Sequence, residues 1–156
     1  MRKPLFIGMM VLVVIATALT ISFAGTRAVT EPTRLHVVER AINDKYIDTG
    51  ATGDSAGDLL TWYNPIYDAT NTRKIGHDQG SCIRVSVRVG SWECSWLTFI
   101  AGHGAIMVEG AFFDGRDATL AITGGTLDYR NARGSMKLSA RNNAGTAYNF
   151  VFMLLP

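Results

Sequence analysis

Glu39 follows two valines near the end of a short β-prone run, Arg34 to Arg40. A carboxylate there is either a solvated strand-end charge or a pocket group whose pKa burial raises. Asn64 stands mid-strand among aromatics, where asparagine is disfavoured. It is either a bulge residue beside Pro65 or a pocket amide that orients a water. Ser81 to Val89 alternates strictly, with Cys82, Arg84, Ser86 and Arg88 on one face and Ile83, Val85, Val87 and Val89 on the other. Two readings of this strand stand. If the polar face meets solvent, the apolar face packs the core. If it meets a lumen, it presents a thiol and guanidinium groups to a ligand, and the apolar face turns outward to another subunit or loop. Trp62, Trp92 and Trp96 read as plain core or as a lining that stabilises a developing cation. His77 and His103 read as loop residues outside any nucleophilic constellation. No Gly-rich loop runs from a strand into a helix, which argues against nucleotide chemistry.

These residues need strands to position them. The β-prone runs are Arg34 to Arg40, Leu59 to Tyr67, Ser81 to Val89, Trp92 to Ile100, Gly104 to Gly110, Ala118 to Thr123, Ser135 to Ala140 and Thr146 to Leu154. Residues 41–57 and 68–80 read as polar loops, the first long enough to suggest function. Pro65 places the second run at an edge or a bulge. Gly124-Gly125 ends an apolar run and predicts a tight crossover that uses φ > 0 or close backbone approach. Eight short strands without an amphipathic helix indicate an all-β sandwich or barrel.

Length leaves room for one domain after an N-terminal targeting segment. Arg2 and Lys3 precede an uncharged, mostly apolar run from Leu5 to Phe23, and Ser22-Phe23-Ala24 suits cleavage before Gly25. Residues 1–24 therefore read as a signal peptide and 25–33 as a linker, with the domain at 34–156 and the protein secreted. The other reading is a retained membrane anchor, since Leu5 to Ala24 is about long enough to span a bilayer. Removing Arg2 and Lys3 from the 15 basic residues leaves 13 against 13 acidic ones, so nothing marks a nucleic-acid footprint. With a hairpin turn near Gly90-Ser91, Cys94 faces Ser86 and lies about 13 Å from Cys82. That spacing predicts two free thiols, and neither cysteine has the partners of a zinc site.

A family resemblance covers residues 37–154. Gly57-Asp58-Leu59-Leu60 with Asn64 and Tyr67, Gly80-Ser81-Cys82, Gly104-Ala105-Ile106 through Val108-Glu109-Gly110, and above all Leu120-Ala-Ile-Thr-Gly-Gly-Thr126 resemble the allene oxide cyclase family. Tyr129-Arg-Asn-Ala-Arg-Gly134 and Tyr148-Asn-Phe-Val-Phe152 extend the likeness, and the Gly-Gly-Thr turn is equally close to dirigent proteins. The resemblance implies an eight-stranded antiparallel barrel, a trimer, and an apolar pocket that closes a ring in an unsaturated substrate without a cofactor or metal. It maps the catalytic glutamate onto Glu39, the water-holding asparagine onto Asn64 and the pocket cysteine onto Cys82. It maps the substrate-binding residues onto Leu60, Trp62, Trp92 and Phe112, and Arg84 is a candidate for a substrate carboxylate. Ala41 replaces the family's second asparagine, and Leu127 stands where a glycine is usual. A lipocalin-like carrier and a guide of phenoxy-radical coupling are the alternative functions.

Overall fold

The computed structural model describes residues 31–156. The expected signal segment and most of the linker lie outside the described residues. Nine strands follow in order: β1 (Thr33–Arg40), β2 (Lys45–Ile47), β3 (Leu59–Asp68), β4 (Lys74–Ser86), β5 (Ser91–Ile100), β6 (Gly104–Phe113), β7 (Ala118–Gly125), β8 (Gly134–Ala140) and β9 (Ala147–Leu154). The one helical element among the described residues is a short 3-10 turn, Leu127–Tyr129.

Neighbours pair antiparallel from β3 through β9, and β9 pairs with β1. β1 then pairs with β3, placing Val37 opposite Asp68 and Glu39 opposite Ile66, and this closes an eight-stranded barrel. β2 takes the other half of the same β3 edge, from Leu59 to Thr61. Closure removes the free edges that an open sheet would expose. Alternate residues point inward. On β5 these are Trp92, Cys94, Trp96, Thr98 and Ile100. Leu120, Ile122, Met136, Phe150 and Phe152 complete the packed interior from the opposite wall.

The strand at β4 begins earlier than the sequence reading has it. Residues 74–80 are strand, not loop. Their inward positions are Gly76, Asp78 and Gly80, so the apolar period that reveals a strand is missing. A Cβ at Gly80 would collide with the Trp96 side chain and the Ser95 carbonyl, so this position must stay bare. His77 is a strand residue too, stacked on the outer wall between Tyr63 and Phe99 at ring separations of 4.7 and 4.6 Å.

The β4–β5 register overturns the expectation of two free thiols. The turn lies at residues 87–90, where the Gly90 N–H donates to the Val87 carbonyl and Gly90 takes φ 63°. A register shift between Arg84 and Ser86 sets Arg84 opposite Trp92 and Cys82 opposite Cys94. Their Cα atoms are 4.0 Å apart, and the two cysteines form a disulfide. Assuming a turn nearer Gly90-Ser91 moves the pairing along the strand, and each residue of slip in a hairpin changes every partner.

Neither glycine of the Gly124-Gly125 pair takes φ > 0, and only Gly125 serves close approach. A Cβ on Gly125 would strike the carbonyls of Tyr129 and Ala105. The left-handed backbone falls instead on Leu127, at φ 52°.

Candidate functional site

Asn64 is fully buried on β3, opposite Asp78 of β4. It sits beside the break between β1 and β2, where the chain leaves the ladder. Its Oδ1 accepts the N–H groups of Ile42 and Asn43 at 3.1 and 2.9 Å, so its side chain replaces the missing strand bonds. Its Nδ2 donates to Glu39 Oε1 at 2.8 Å and to Asp44 Oδ1 at 2.7 Å. All four hydrogen-bonding directions of the amide are thereby used. Asn64 is a hub that fixes the two carboxyl groups, and the sequence-level alternative of a bulge falls elsewhere, between Ile66 and Tyr67.

Asp78 is the residue that sequence reasoning missed, because it lies in the stretch read as loop. It is fully buried, and Trp62 Nε1 donates to its Oδ2 at 2.9 Å. Its carboxyl lies close enough to that of Glu39 for its charge to act on it. Two buried carboxyls so placed, with no cation beside them, favour a state in which one keeps its proton. Burial raises Glu39 well above the usual carboxyl range, and the neighbouring charge of Asp78 adds to it. Burial pushes Asp78 up to about 7, while the bond from Trp62 holds it down. Asp78 Oδ1 has no hydrogen-bond partner among the described residues.

Glu39 lies on the wall of an interior pocket of ≈ 90 Å³, together with Asp44, Leu60, Trp62, Cys82, Cys94, Trp96, Phe112, Leu138, Tyr148 and Phe150. Trp62 and Trp96 flank Gly80 from β3 and β5 and meet edge to face over it, with ring centroids 5.7 Å apart. The bare glycine lets two indoles converge on one wall. The Tyr148 hydroxyl is pushed up by burial and then by the nearby Glu39. No Lys, Arg or His lines the pocket, and no described cluster of His, Cys, Asp or Glu has the form of a metal site.

The expected site residues thus separate into two groups. Glu39, Leu60, Trp62, Cys82 and Phe112 line the pocket, with Asn64 directly behind Glu39. Cys82 is there as half of a disulfide and has no thiol to offer. Arg84 and Trp92 point inward but do not line it. The Arg84 guanidinium is held by Asp54 at 2.8 Å and Asp114 at 2.6 Å, and it stacks 4.0 Å over the Trp92 ring. Trp92 Nε1 donates to the same Asp114 at 2.9 Å. Arg84 is a structural clasp between the loop that carries Asp54 and the β6–β7 turn, and it is not free to hold a substrate carboxylate. The clasped loop is itself organised by buried Asp58, which accepts the N–H groups of Thr49, Gly50 and Ser55 and the Tyr46 hydroxyl.

No protein-family model matches the chain. Its fold is found in solved structures of low sequence identity. A pyocyanin demethylase matches with TM-score 0.66 at 20% identity, over 77% of this chain and 100% of that one. A pterocarpan synthase dirigent protein matches with TM-score 0.64 at 15% identity, over 80% and 96%. An exo-specific intermolecular Diels-Alderase matches with TM-score 0.58 at 16% identity, over 78% and 98%. The architecture is therefore the closed antiparallel barrel that dirigent proteins and cyclases share.

Proposed function

We propose that this protein is a cofactor-independent isomerase or cyclase that takes an apolar, unsaturated small molecule into its barrel. The observation that carries this reading is Glu39, a buried carboxyl group set into an aromatic and aliphatic pocket and locked in place by Asn64. A carrier needs only the apolar wall. Burying ionisable groups is costly, and such groups with displaced pKa values concentrate where chemistry is done. The barrel neighbours include cyclases, which supports ring closure as one outcome of such a pocket.

The motifs are similar to those of the allene oxide cyclase family, but the pocket argues for a different substrate from a fatty-acid epoxide. Its ≈ 90 Å³ is small for a long acyl chain, and it offers no cation to a carboxylate. A compact ring or a short unsaturated segment suits it better. The disulfide supports secretion into an oxidising compartment.

Native mass spectrometry of the mature protein from its own culture medium is expected to find a retained apolar molecule. Incubated with that molecule, wild type converts it, and Glu39→Gln binds it with similar affinity but turns it over at least ~100-fold more slowly. Equal turnover would remove Glu39 from the chemistry, and binding by both proteins with no conversion would replace the enzyme with a carrier.

A further inference from the structure

The carboxyl of Glu39 reaches the pocket, whereas Asp78 contributes nothing to its lining and lies behind Glu39. Each is fixed by a separate donor, Glu39 by the Asn64 amide and Asp78 by the Trp62 indole. The buried Oδ1 of Asp78 has no hydrogen-bond partner among the described residues, and the charge of Asp78 bears on Glu39. We propose that Glu39 and Asp78 act as one proton-holding pair, and that the reaction they run is a proton shift within a neutral substrate. This deepens the isomerase reading and rests on it.

The chemistry balances within the pair. With one proton between them the two carboxyls form a monoanion. With the pair's proton on Asp78, the ionised Glu39 takes a proton from a carbon next to a carbonyl or alkene, the C–H electron pair moves into the substrate's π system, and the pair becomes a diacid. Glu39 then returns a proton to another atom of the same substrate, and the monoanion is restored. No oxidant, reductant or cofactor enters. Asp78 touches no substrate in this scheme. It is a positioning residue that keeps Glu39 between the two states.

The charges facing the pair decide which ligand fits. From β1 there is Glu39 itself, from the segment after β1 Asp44, from β4 Asp78, and from β9 the Tyr148 hydroxyl. β3 contributes only the neutral Asn64 and Trp62. Arg40 is turned away, to Asn71 and the Tyr67 ring. An anionic ligand would meet carboxyl groups and no counter-charge. The class is therefore a neutral, enolisable or allylic compound.

A ligand-free titration tests the pairing. Carboxyl carbons and the Trp62 indole N–H are followed by NMR from pH 4 to 10. Asp78 and the Trp62 signal are expected to inflect together near neutrality, and Glu39 is expected to titrate well above the ordinary carboxyl range. In Asp78→Asn the Glu39 midpoint drops by one pH unit or more. Ordinary carboxyl titration of Glu39, or an unmoved midpoint in the variant, overturns the pair. If Asp78→Asn does not fold, the joint inflection in wild type decides alone. The reaction class is tested with 3-cyclohexenone in deuterated buffer. Wild type is expected to form 2-cyclohexenone faster than buffer, with Glu39→Gln and Asp78→Asn at least tenfold slower. Conversion at the buffer rate overturns the proton-shift chemistry. The titration involves no turnover, so its result stands apart from that of the substrate test above.

Discussion

Glu39 and Asp78 show how neutral donors, the Asn64 amide and the Trp62 indole, can hold buried acids. Each carboxyl has a neutral donor, and neither has a cation. Such groups make folding depend on pH, and the sign follows from proton counts. Unfolded, Glu39 and Asp78 lose their protons near pH ~4. Folded, Asp78 holds its proton to about 7 and Glu39 is also raised. Between those limits the unfolded chain binds fewer protons, so stability falls as pH rises. Asp58 and Asp68 act in the opposite sense, because hydrogen bonds depress both, Asp68 to about 2. Their stabilisation is present above the ordinary carboxyl range and is lost as pH falls below it. Thermal melts are expected to peak in mildly acidic buffer and decline toward pH 8. Glu39→Gln should roughly halve that decline; a flat wild-type profile from pH 5 to 8 would contradict the buried pair.

The β4–β5 hairpin carries most of what distinguishes this barrel. Its inner face runs Gly76, Asp78, Gly80, Cys82 and Arg84, so one strand supplies an acid, the floor under two indoles, a disulfide and a clasp. The disulfide joins directly opposed residues across a short loop and faces the pocket. Chain-entropy arguments put its contribution at about 3 kcal/mol for this loop length. The double variant Cys82→Ala/Cys94→Ala should lose roughly that much in denaturant titration. The native protein should yield no reactive thiol after unfolding without reductant, and recovery of thiol there would remove the disulfide from the account.

At the scale of the molecule, closure through β1 and β3 brings residues distant in sequence onto one pocket, with Glu39 from one strand beside Asp78 from another. Closure also leaves Ile83, Val85 and Val87 on the outer wall, each about half exposed. We propose that this stripe packs against further copies of the chain, as the motif-level resemblance to trimeric barrels implies. Light scattering of the mature protein is expected to return three chain masses, and Val85→Glu to shift the population to monomer. A wild-type monomer would refute the assembly.

The amino-acid sequence by itself determined the all-β class and seven of the eight barrel strands nearly whole, because period-two alternation is a local property that survives without neighbours. It also marked Asn64, since a polar group among strand-forming aromatics is visible in one dimension, while Glu39 and Trp62 enter the site through the family resemblance. Tertiary structure alone decided three things. It placed Asp78 in a strand, because Gly80, bare beneath the Trp96 side chain, and Gly76, bare against the Phe99 carbonyl, erase the alternation there. It joined Cys82 to Cys94, because a turn and a register shift, not spacing, choose who stands opposite whom. It assigned Arg84 to a clasp and raised the Glu39 carboxyl above its usual range, because partners, burial and neighbouring charge exist only once the barrel has closed.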